Sequence, residues 1–157
     1  MGASQYRSRL APWLVSLAMG LSPGFSSAQG ASAKVFSQHC VACHGDKGQG
    51  VVGLAPALAG PLKPVLAQAL GRDYVSQVLV YGLSGRIVSQ GQTFVGAMPN
   101  QGALSDAELS DVANYLAQEL NGLQGPLFQP EHFERVRALK PVPTHKDLRA
   151  IRAQVWP

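Results

Sequence analysis

Both cysteines of this 157-residue chain lie within the stretch HCVACH, residues 39–44, where a histidine stands at each end. A disulfide between Cys40 and Cys43 would close so small a loop that it would add little to stability. A zinc ion would need four converging ligands, whereas neighbouring residues of a helix point in different directions. A thioredoxin-like redox pair follows a βαβ unit, and no such pattern is visible. These three interpretations remain as alternatives.

The spacing Cys-x-x-Cys-His favours a fourth interpretation, the covalent attachment of haem. One helical turn between Cys40 and Cys43 lets both thiols add to the vinyl groups along one haem edge, and His44 follows with a ring nitrogen for the iron. Thioether bonds do not dissociate, so the cofactor would be retained outside the cell. The sequence therefore predicts one haem c, attached through Cys40 and Cys43, with His44 bound to its iron.

Methionine usage limits the choice of a second iron ligand. Met1 starts the chain, Met19 lies in an apolar N-terminal run, and Met98 follows Gly96-Ala97 and precedes Pro99. The rigid proline and the small residues indicate a loop from which Met98 can point inward, and we predict it as the sixth ligand. The alternative is a methionine that fills a gap in the core. The other histidines are expected to face solvent and not the iron: His39, His132 and His145.

The N-terminal residues 1–28 resemble a secretory signal peptide in order and composition. Arg7 and Arg9 precede an apolar run over residues 10–21, and small residues suit cleavage after Ala28. The apolar run is shorter than the roughly 20 residues needed to span a bilayer. We therefore predict a cleaved signal and a periplasmic protein with no remaining transmembrane span; a buried helix or a retained anchor is the alternative.

Composition indicates one globular domain, because 46% of residues are apolar and 14% are charged. The formal net charge of +4 arises largely from the C-terminal segment 123–157, which holds six Lys and Arg against three Asp and Glu. Residues 31–122 hold five basic against six acidic residues. A nucleic-acid partner for the main body is therefore not supported.

Hydrophobic periodicity predicts an all-α fold with three main helices and two long loops. The helices are expected over residues 31–43, from Asp73 to Gly82, and from the capping box Ser105-Asp106-Ala107-Glu108 to residue 121. Residues 45–60 and 82–102 are predicted as loops, and 64–71 as a brief helix. The predicted domains are the signal, 1–28, a main domain, 29–122, and a basic, partly helical extension, 123–157, with helices over 131–139 and 144–155. Phe133, Val136 and Leu139 are expected to point inward.

Taken together, the chain resembles a class I c-type cytochrome over about residues 32 to 121. The resemblance rests on CVACHG at 40–45, APAL at 55–58, Met98-Pro99, and a closing helix that carries Tyr115. It implies the cytochrome c fold, in which helices and loops wrap around one covalently bound haem. The extension 123–157 departs from the minimal pattern; it is interpreted either as a docking element or as a loosely packed tail.

The resemblance also implies roles for individual residues. Phe36 would pack the first helix against the last, where it would meet Val112 and Tyr115. The carbonyl of Pro56 would accept the N–H of His44 and so fix the tautomer of the imidazole. Residues of the second loop would line the haem or bind its propionates: Gln92, Thr93, Phe94 and Arg86.

The function predicted from these residues is periplasmic electron transfer by a monohaem cytochrome that is not itself an enzyme. Its donor and acceptor would be redox proteins such as a dehydrogenase, an oxidase or a reductase. One alternative is a haem c subunit of a stable oxidoreductase complex that docks through the extension. Another is a catalytic or gas-sensing haem protein with an open iron position, which a methionine ligand at position 98 would exclude.

Overall fold

The computed structural model describes residues 26–156, with side chains from residue 30 onward. The predicted signal peptide thus lies mostly outside the described residues, although the first helix begins at Ser26. The elements are α1 Ser26–His39, α2 Val41–His44, α3 Lys63–Leu66, α4 Ala69–Tyr81, β1 Leu83–Ser89, β2 Gln92–Met98, α5 Asp106–Gln118, α6 Pro130–Arg137 and α7 His145–Val155. The mainly helical fold is as predicted. The described chain has seven helices and a two-stranded sheet, so the expected arrangement of three main helices, a brief helix and two helices in the extension is not confirmed in detail. No helix in this part of the chain is long and apolar enough to cross a membrane.

The predicted loop over residues 82–102 is wrong, because most of it forms an antiparallel hairpin of β1 and β2. The register runs from Leu83 opposite Met98 to Ser89 opposite Gln92. Gln90 and Gly91, with φ of 50° and 75°, make the tight two-residue turn that such hairpins favour. The strands were missed because most of their residues are exposed and do not alternate between apolar and polar.

Helices α1 and α5 form the helix pair that the family resemblance implied. The rings of Phe36 and Tyr115 lie 5.0 Å apart between centroids, and Val112 is buried in the same core. The capping box of α5 is also confirmed. The Ser105 side chain accepts the backbone N–H of Glu108, and the Glu108 carboxylate accepts that of Ser105 at 2.8 Å.

The C-terminal extension packs against the rest of the chain, so the loosely packed alternative is wrong. Phe128 (1% exposed), Phe133 and Leu148 (both 0%) belong to the same core as α1 and α5. These side chains add apolar volume that the sequence analysis did not assign to the main core. Leu139, expected to point inward, is 38% exposed because α6 ends at Arg137 and Leu139 lies past its end.

Polar side chains fasten the start of the extension and α6 to α5 and to the segment before it. The Asn114 side chain accepts the backbone N–H of Phe128 at 3.0 Å and donates to its carbonyl at 2.9 Å. Arg137 donates to the Asp106 carboxylate at 2.7 Å and to the carbonyl of Gly102 at 2.8 Å. The extension is therefore held in one position by both apolar burial and hydrogen bonds.

Candidate cofactor site

An apolar cleft runs between α2, the segment 45–60, α4, the β1–β2 hairpin and α7. Its empty space is about 1260 Å³ when the open mouth is included. It brings together the predicted attachment cysteines, the predicted iron ligands and the proline expected to orient the imidazole: Cys40, Cys43, His44, Met98 and Pro56.

His44 is held in one tautomer by the segment that follows it. The side chain is 7% exposed, and its Nδ1 lies 2.9 Å from the carbonyl oxygen of Pro56. A carbonyl can only accept, so Nδ1 carries the proton and Nε2 keeps a free lone pair. Burial lowers the pKa of His44, and the hydrogen bond to Pro56 partly opposes that change. The neutral ring is the form that binds a metal.

The position of Pro56 depends on a glycine with a left-handed backbone. Gly50 has φ of +78°, and its N–H donates to the carbonyl of His44 at 2.8 Å. A Cβ at position 50 would lie 2.6 Å from the backbone nitrogen of Ala57 and 2.8 Å from the carbonyl carbon of Pro56. Only glycine lets the Pro56 segment lie this close, so Gly50 sets the distance between that segment and His44.

Asn121 fastens the same segment to the end of α5. Its Oδ1 accepts the N–H of Gly60 at 2.9 Å, while its Nδ2 donates to the carbonyls of Leu58 at 3.1 Å and Leu116 at 2.7 Å. The sequence analysis did not assign this role, because asparagine before glycine at a helix end also serves as a simple stop signal. The buried amide explains how a long, glycine-rich segment keeps one conformation beside the cleft.

The two cysteines are free thiols in different environments. Cys40 is buried, and this burial, together with the nearby Cys43, raises the pKa of the Cys40 thiol to about 11. A thiol that stays protonated is a poor redox nucleophile. Within residues 26–156, no three His, Cys, Asp or Glu side chains lie close enough to hold a metal ion. The geometry therefore does not favour the zinc and thioredoxin-like alternatives.

Met98 is the last residue of β2 and reaches the cleft from the hairpin. It pairs with Leu83, and its side chain is half-buried among cleft residues. Gly82, with φ of +77°, lies so close that a Cβ there would be 2.7 Å from the carbonyl oxygen of Met98. After Pro99, the N–H of Gln101 donates to the carbonyl of Leu79 at 2.7 Å. The backbone around Met98 is thus fixed to the C-terminal end of α4.

The other hairpin residues that the resemblance singled out divide into two groups. Phe94 is buried and lines the cleft. Gln92, Thr93 and Arg86 are exposed and lie outside it. Arg86 instead lines a smaller groove between the hairpin and α7, and it donates weakly to the Thr93 hydroxyl at 3.5 Å. Arg86 lies between the cleft residues Gly85 and Ile87 and so faces the other side of the strand, whereas Gln92 and Thr93 lie nearer the turn than the cleft residues.

The remaining histidines occupy three different environments. His39 is exposed at the rim of the cleft, and His145 is exposed on α7 away from it. His132 is half-buried, 3.5 Å from the Asp73 carboxylate and edge-on to the ring of Phe128. The expectation that His132 faces solvent is wrong, because α6 packs against α4. Neither His132 nor His145 lines the cleft.

Sequence reasoning missed the part of the cleft that α7 contributes. Arg152 and Trp156 line it, next to the buried Tyr74 of α4. The Arg152 guanidinium lies 3.5 Å above the Trp156 ring, and its Nη2 donates to the carbonyl of Val88 at 2.7 Å. Its Nη1 is buried with no hydrogen-bond partner. The only sequence signal was the apolar stripe of the predicted helix over 144–155, which does not show what that stripe packs against.

These features fit a haem. Apolar walls enclose the cleft, His44 offers a free imidazole nitrogen, two thiols lie beside it, and a buried cation with a free donor lines the same space. A porphyrin has an apolar ring, an iron that takes nitrogen and sulfur ligands, and acidic side chains. The donor set and the shape therefore agree with the group that the Cys-x-x-Cys-His spacing predicts.

Comparison with known proteins also indicates a haem-binding protein. The family model for cytochrome c matches residues 30–119. One cytochrome c-552 of Thermus thermophilus is 36% identical over 126 residues, 76% of this chain and 83% of the relative. A second Thermus thermophilus cytochrome c-552 is 36% identical over 121 residues, 73% and 90% of the two chains. Cytochrome c6 of Picosynechococcus is 34% identical over 99 residues, 62% and 78% of the two chains. The chain therefore belongs to the cytochrome c family, as a class I monohaem cytochrome that binds haem c covalently and transfers electrons.

Proposed function

We propose that this cytochrome is a periplasmic carrier of single electrons whose iron is bound by His44 and Met98. The observation that carries the proposal is the cleft itself, into which α2 and β2 bring an imidazole with a free Nε2 and a thioether. Bound haem c supplies a reversible one-electron change at its iron. Cys40 and Cys43 would attach the macrocycle by thioether bonds, and the Pro56 carbonyl would keep His44 in the tautomer that binds iron.

The two proposed ligands suit electron transfer better than catalysis. A His and Met pair raises the reduction potential relative to two histidines, and an iron with both axial positions filled has no place for a substrate. His44 is buried, and Met98 is fixed through the backbone at Gly82 and Gln101. Because both side chains are restrained and little water enters the apolar cleft, few atoms need to move when the charge changes.

Electrons would pass at the mouth of the cleft. Cys43 is exposed there, and Leu54, which is 57% exposed, lines the same cavity. The edge of the macrocycle attached to Cys43 would therefore lie next to solvent. A carrier must exchange partners quickly, so a small and transient contact with a dehydrogenase, oxidase or reductase is expected at this edge.

The predicted signal peptide over residues 1–28 supports the periplasmic location. The extension supports a free carrier over a fixed subunit, because Phe128, Phe133 and Leu148 are buried within this chain and are not presented to a partner. Purification from the native host at high salt tests this choice. We expect the cytochrome to elute alone; a larger catalytic chain that co-elutes in stoichiometric amount would contradict the free carrier.

The ligand assignment is tested by replacing Met98. Met98→Ala should retain covalent haem but lower the reduction potential and let the ferrous protein bind carbon monoxide, because the sulfur ligand is removed. Val95→Ala, on the same strand but 74% exposed, is the matched control and should behave as the unmodified protein. An unchanged optical spectrum and no carbon monoxide binding in Met98→Ala would contradict the assignment.

A further inference from the structure

The Arg152 guanidinium is a buried cation without an acidic partner. The residue is 6% exposed, and neither ion pair of the described residues includes it. Its Nη2 donates to the carbonyl of Val88, whereas its Nη1 is buried and donates to nothing. Arginine stays charged at any pH at which the protein is folded. A buried charge is tolerated when it is paired and hydrogen-bonded, so an anion is missing from this environment.

No side chain among the described residues supplies that anion. The residues that line the cleft include no aspartate or glutamate, and neither do those that line the smaller groove on the other side of Arg152. The titratable or charged groups that line these two spaces are Tyr74 on α4, which shares a hydrogen bond with the Arg152 side chain, and Arg86, Arg149, His39, Cys40, Cys43 and His44. Burial raises the pKa of the Tyr74 hydroxyl, and Arg152 partly opposes that rise. The surroundings are thus neutral or cationic, and a ligand must provide the negative charge.

The orientation of the guanidinium is fixed before any ligand binds. The guanidinium carbon lies 3.5 Å from the centroid of the Trp156 ring, and the carbonyl of Val88 accepts a hydrogen bond from Nη2. A guanidinium held in this way can donate from its Nη1 to a carboxylate in a charge-assisted hydrogen bond. Haem carries two propionate carboxylates, and the cleft that Arg152 lines is the one that holds the haem-attachment cysteines.

We propose that Arg152 binds a haem propionate, so that the C-terminal helix α7 forms one wall of the cofactor site. The proposal rests on haem occupying this cleft, as in the proposed function. It assigns to Arg152 the role that the sequence analysis expected for Arg86, which lies outside the cleft. Arg152 is then a positioning residue: it neutralises a carboxylate near the iron and fastens the haem to a segment far along the chain.

The propionate itself gives the most direct test. Holoprotein whose haem carries carbon-13 in its propionate carboxyl groups can be titrated by NMR. In the unmodified protein one propionate should stay ionised below the ordinary carboxyl range, because a neighbouring guanidinium favours the charged form. Arg152→Gln should raise the pKa of that propionate by about 1 to 3 units. Arg152→Lys, which keeps the charge but not the planar fork, should give a smaller rise.

Arg149→Gln is the matched control. Arg149 lies on the same helix and donates to the carbonyl of Ser84, but it lines only the smaller groove. It should leave both propionate titrations unchanged. The proposal is overturned if Arg152→Gln titrates as the unmodified protein does, or if Arg149→Gln shifts the same propionate equally, since the shift would then come from the overall charge of α7 and not from a direct contact with Arg152.

The outcome does not depend on one variant or on the iron ligands. If Arg152→Gln yields no holoprotein, the propionate titration of the unmodified protein still tests the proposal. Two propionates that both titrate in the ordinary carboxyl range would refute the pairing with Arg152. The reduction potential of Arg152→Gln should fall at neutral pH, since the unpaired propionate stabilises ferric iron. Carbon monoxide binding reports on Met98 separately, so a wrong ligand assignment and a wrong Arg152 assignment give different results.

Discussion

The two sides of the cleft are supported in different ways. On the His44 side the contacts made by the imidazole and its backbone are local: Pro56, twelve residues away, accepts the imidazole N–H, and Gly50 donates to the His44 carbonyl, while Asn121 fastens the same segment to α5. On the Met98 side the hairpin is held by α7, through Arg149 to the carbonyl of Ser84 and Arg152 to that of Val88, 65 and 64 residues apart. The proposed ligand His44 is thus oriented mainly by residues near it in the sequence, whereas the hairpin that carries Met98 is held by the end of α4 and also by the far end of the chain. Variants can therefore disturb one side and leave the other intact.

The largest effect is expected from the local side. His44→Ala should abolish formation of the holoprotein, because the Cys-x-x-Cys-His motif and the iron both need the imidazole. The measurement is the yield of covalently bound haem in cells competent for cytochrome maturation. His145→Ala, an exposed histidine of α7 outside the cleft, is the control and should leave the yield unchanged. An ordinary yield from His44→Ala would show that the local side does not assemble as described.

The next largest effect is expected from the core of the extension. Leu148 is 0% exposed, so Leu148→Ala should lower the free energy of unfolding by about 2 to 5 kcal/mol. The variant should also bind carbon monoxide more readily than the unmodified protein, because α7 supports the hairpin that carries Met98. Leu139→Ala, at a 38% exposed position, should have little effect on either property. Denaturant unfolding of the two holoproteins checks the first value; equal losses would contradict the packing described here.

Alanine variants at two glycines of the segment 45–60 distinguish the effect of backbone strain from that of a steric clash. Gly50 and Gly53 have nearly the same φ, +78° and +76°, but a Cβ at position 53 would meet nothing within 4 Å. Both alanine variants share the strain of a left-handed residue, whereas only Gly50→Ala collides with the Pro56 segment. Gly50→Ala should be less stable than Gly53→Ala by about 1 to 3 kcal/mol, the usual range for overpacking. It should also shift the reduction potential, since Pro56 orients His44; similar values for both variants would refute this role of Gly50.

The smallest effect is expected at the helix caps. Thr144 caps α7 as Ser105 caps α5, each within a complete capping box. Replacing either residue by alanine should lower the free energy of unfolding by about 1 kcal/mol. Only Thr144→Ala should also loosen the β1–β2 hairpin that carries Met98. Hydrogen bonds from Thr144 lower the pKa of the Asp147 carboxyl group in the folded protein. The stability that the ionised Asp147 contributes is therefore fully present above the ordinary carboxyl pKa, and it is lost as the pH falls through the lowered pKa of Asp147. Unfolding at several pH values checks this, and a pH-independent difference between Thr144→Ala and the unmodified protein would contradict it.

The sequence could predict those parts of the site that depend on short-range patterns. The spacing of Cys40, Cys43 and His44 and the capping box of α5 are local patterns, and Met98 is the one methionine outside the predicted signal peptide, which made it the candidate for a thioether ligand. The hairpin was missed because its strands are largely exposed and lack alternation. The role of Arg152 was missed because charge in a basic helix normally indicates a solvated face, and only the packing of α7 against α4 and β1 buries it.

The account depends most on Met98 as the second iron ligand, and the spectrum of the unmodified ferric protein tests this most directly. A methionine sulfur bound to ferric haem gives a weak near-infrared absorption, which we expect in the unmodified protein and which should vanish in Met98→Ala. If the unmodified protein lacks this absorption, or if its ferrous form binds carbon monoxide readily, the ligand assignment is wrong and the iron has an open position.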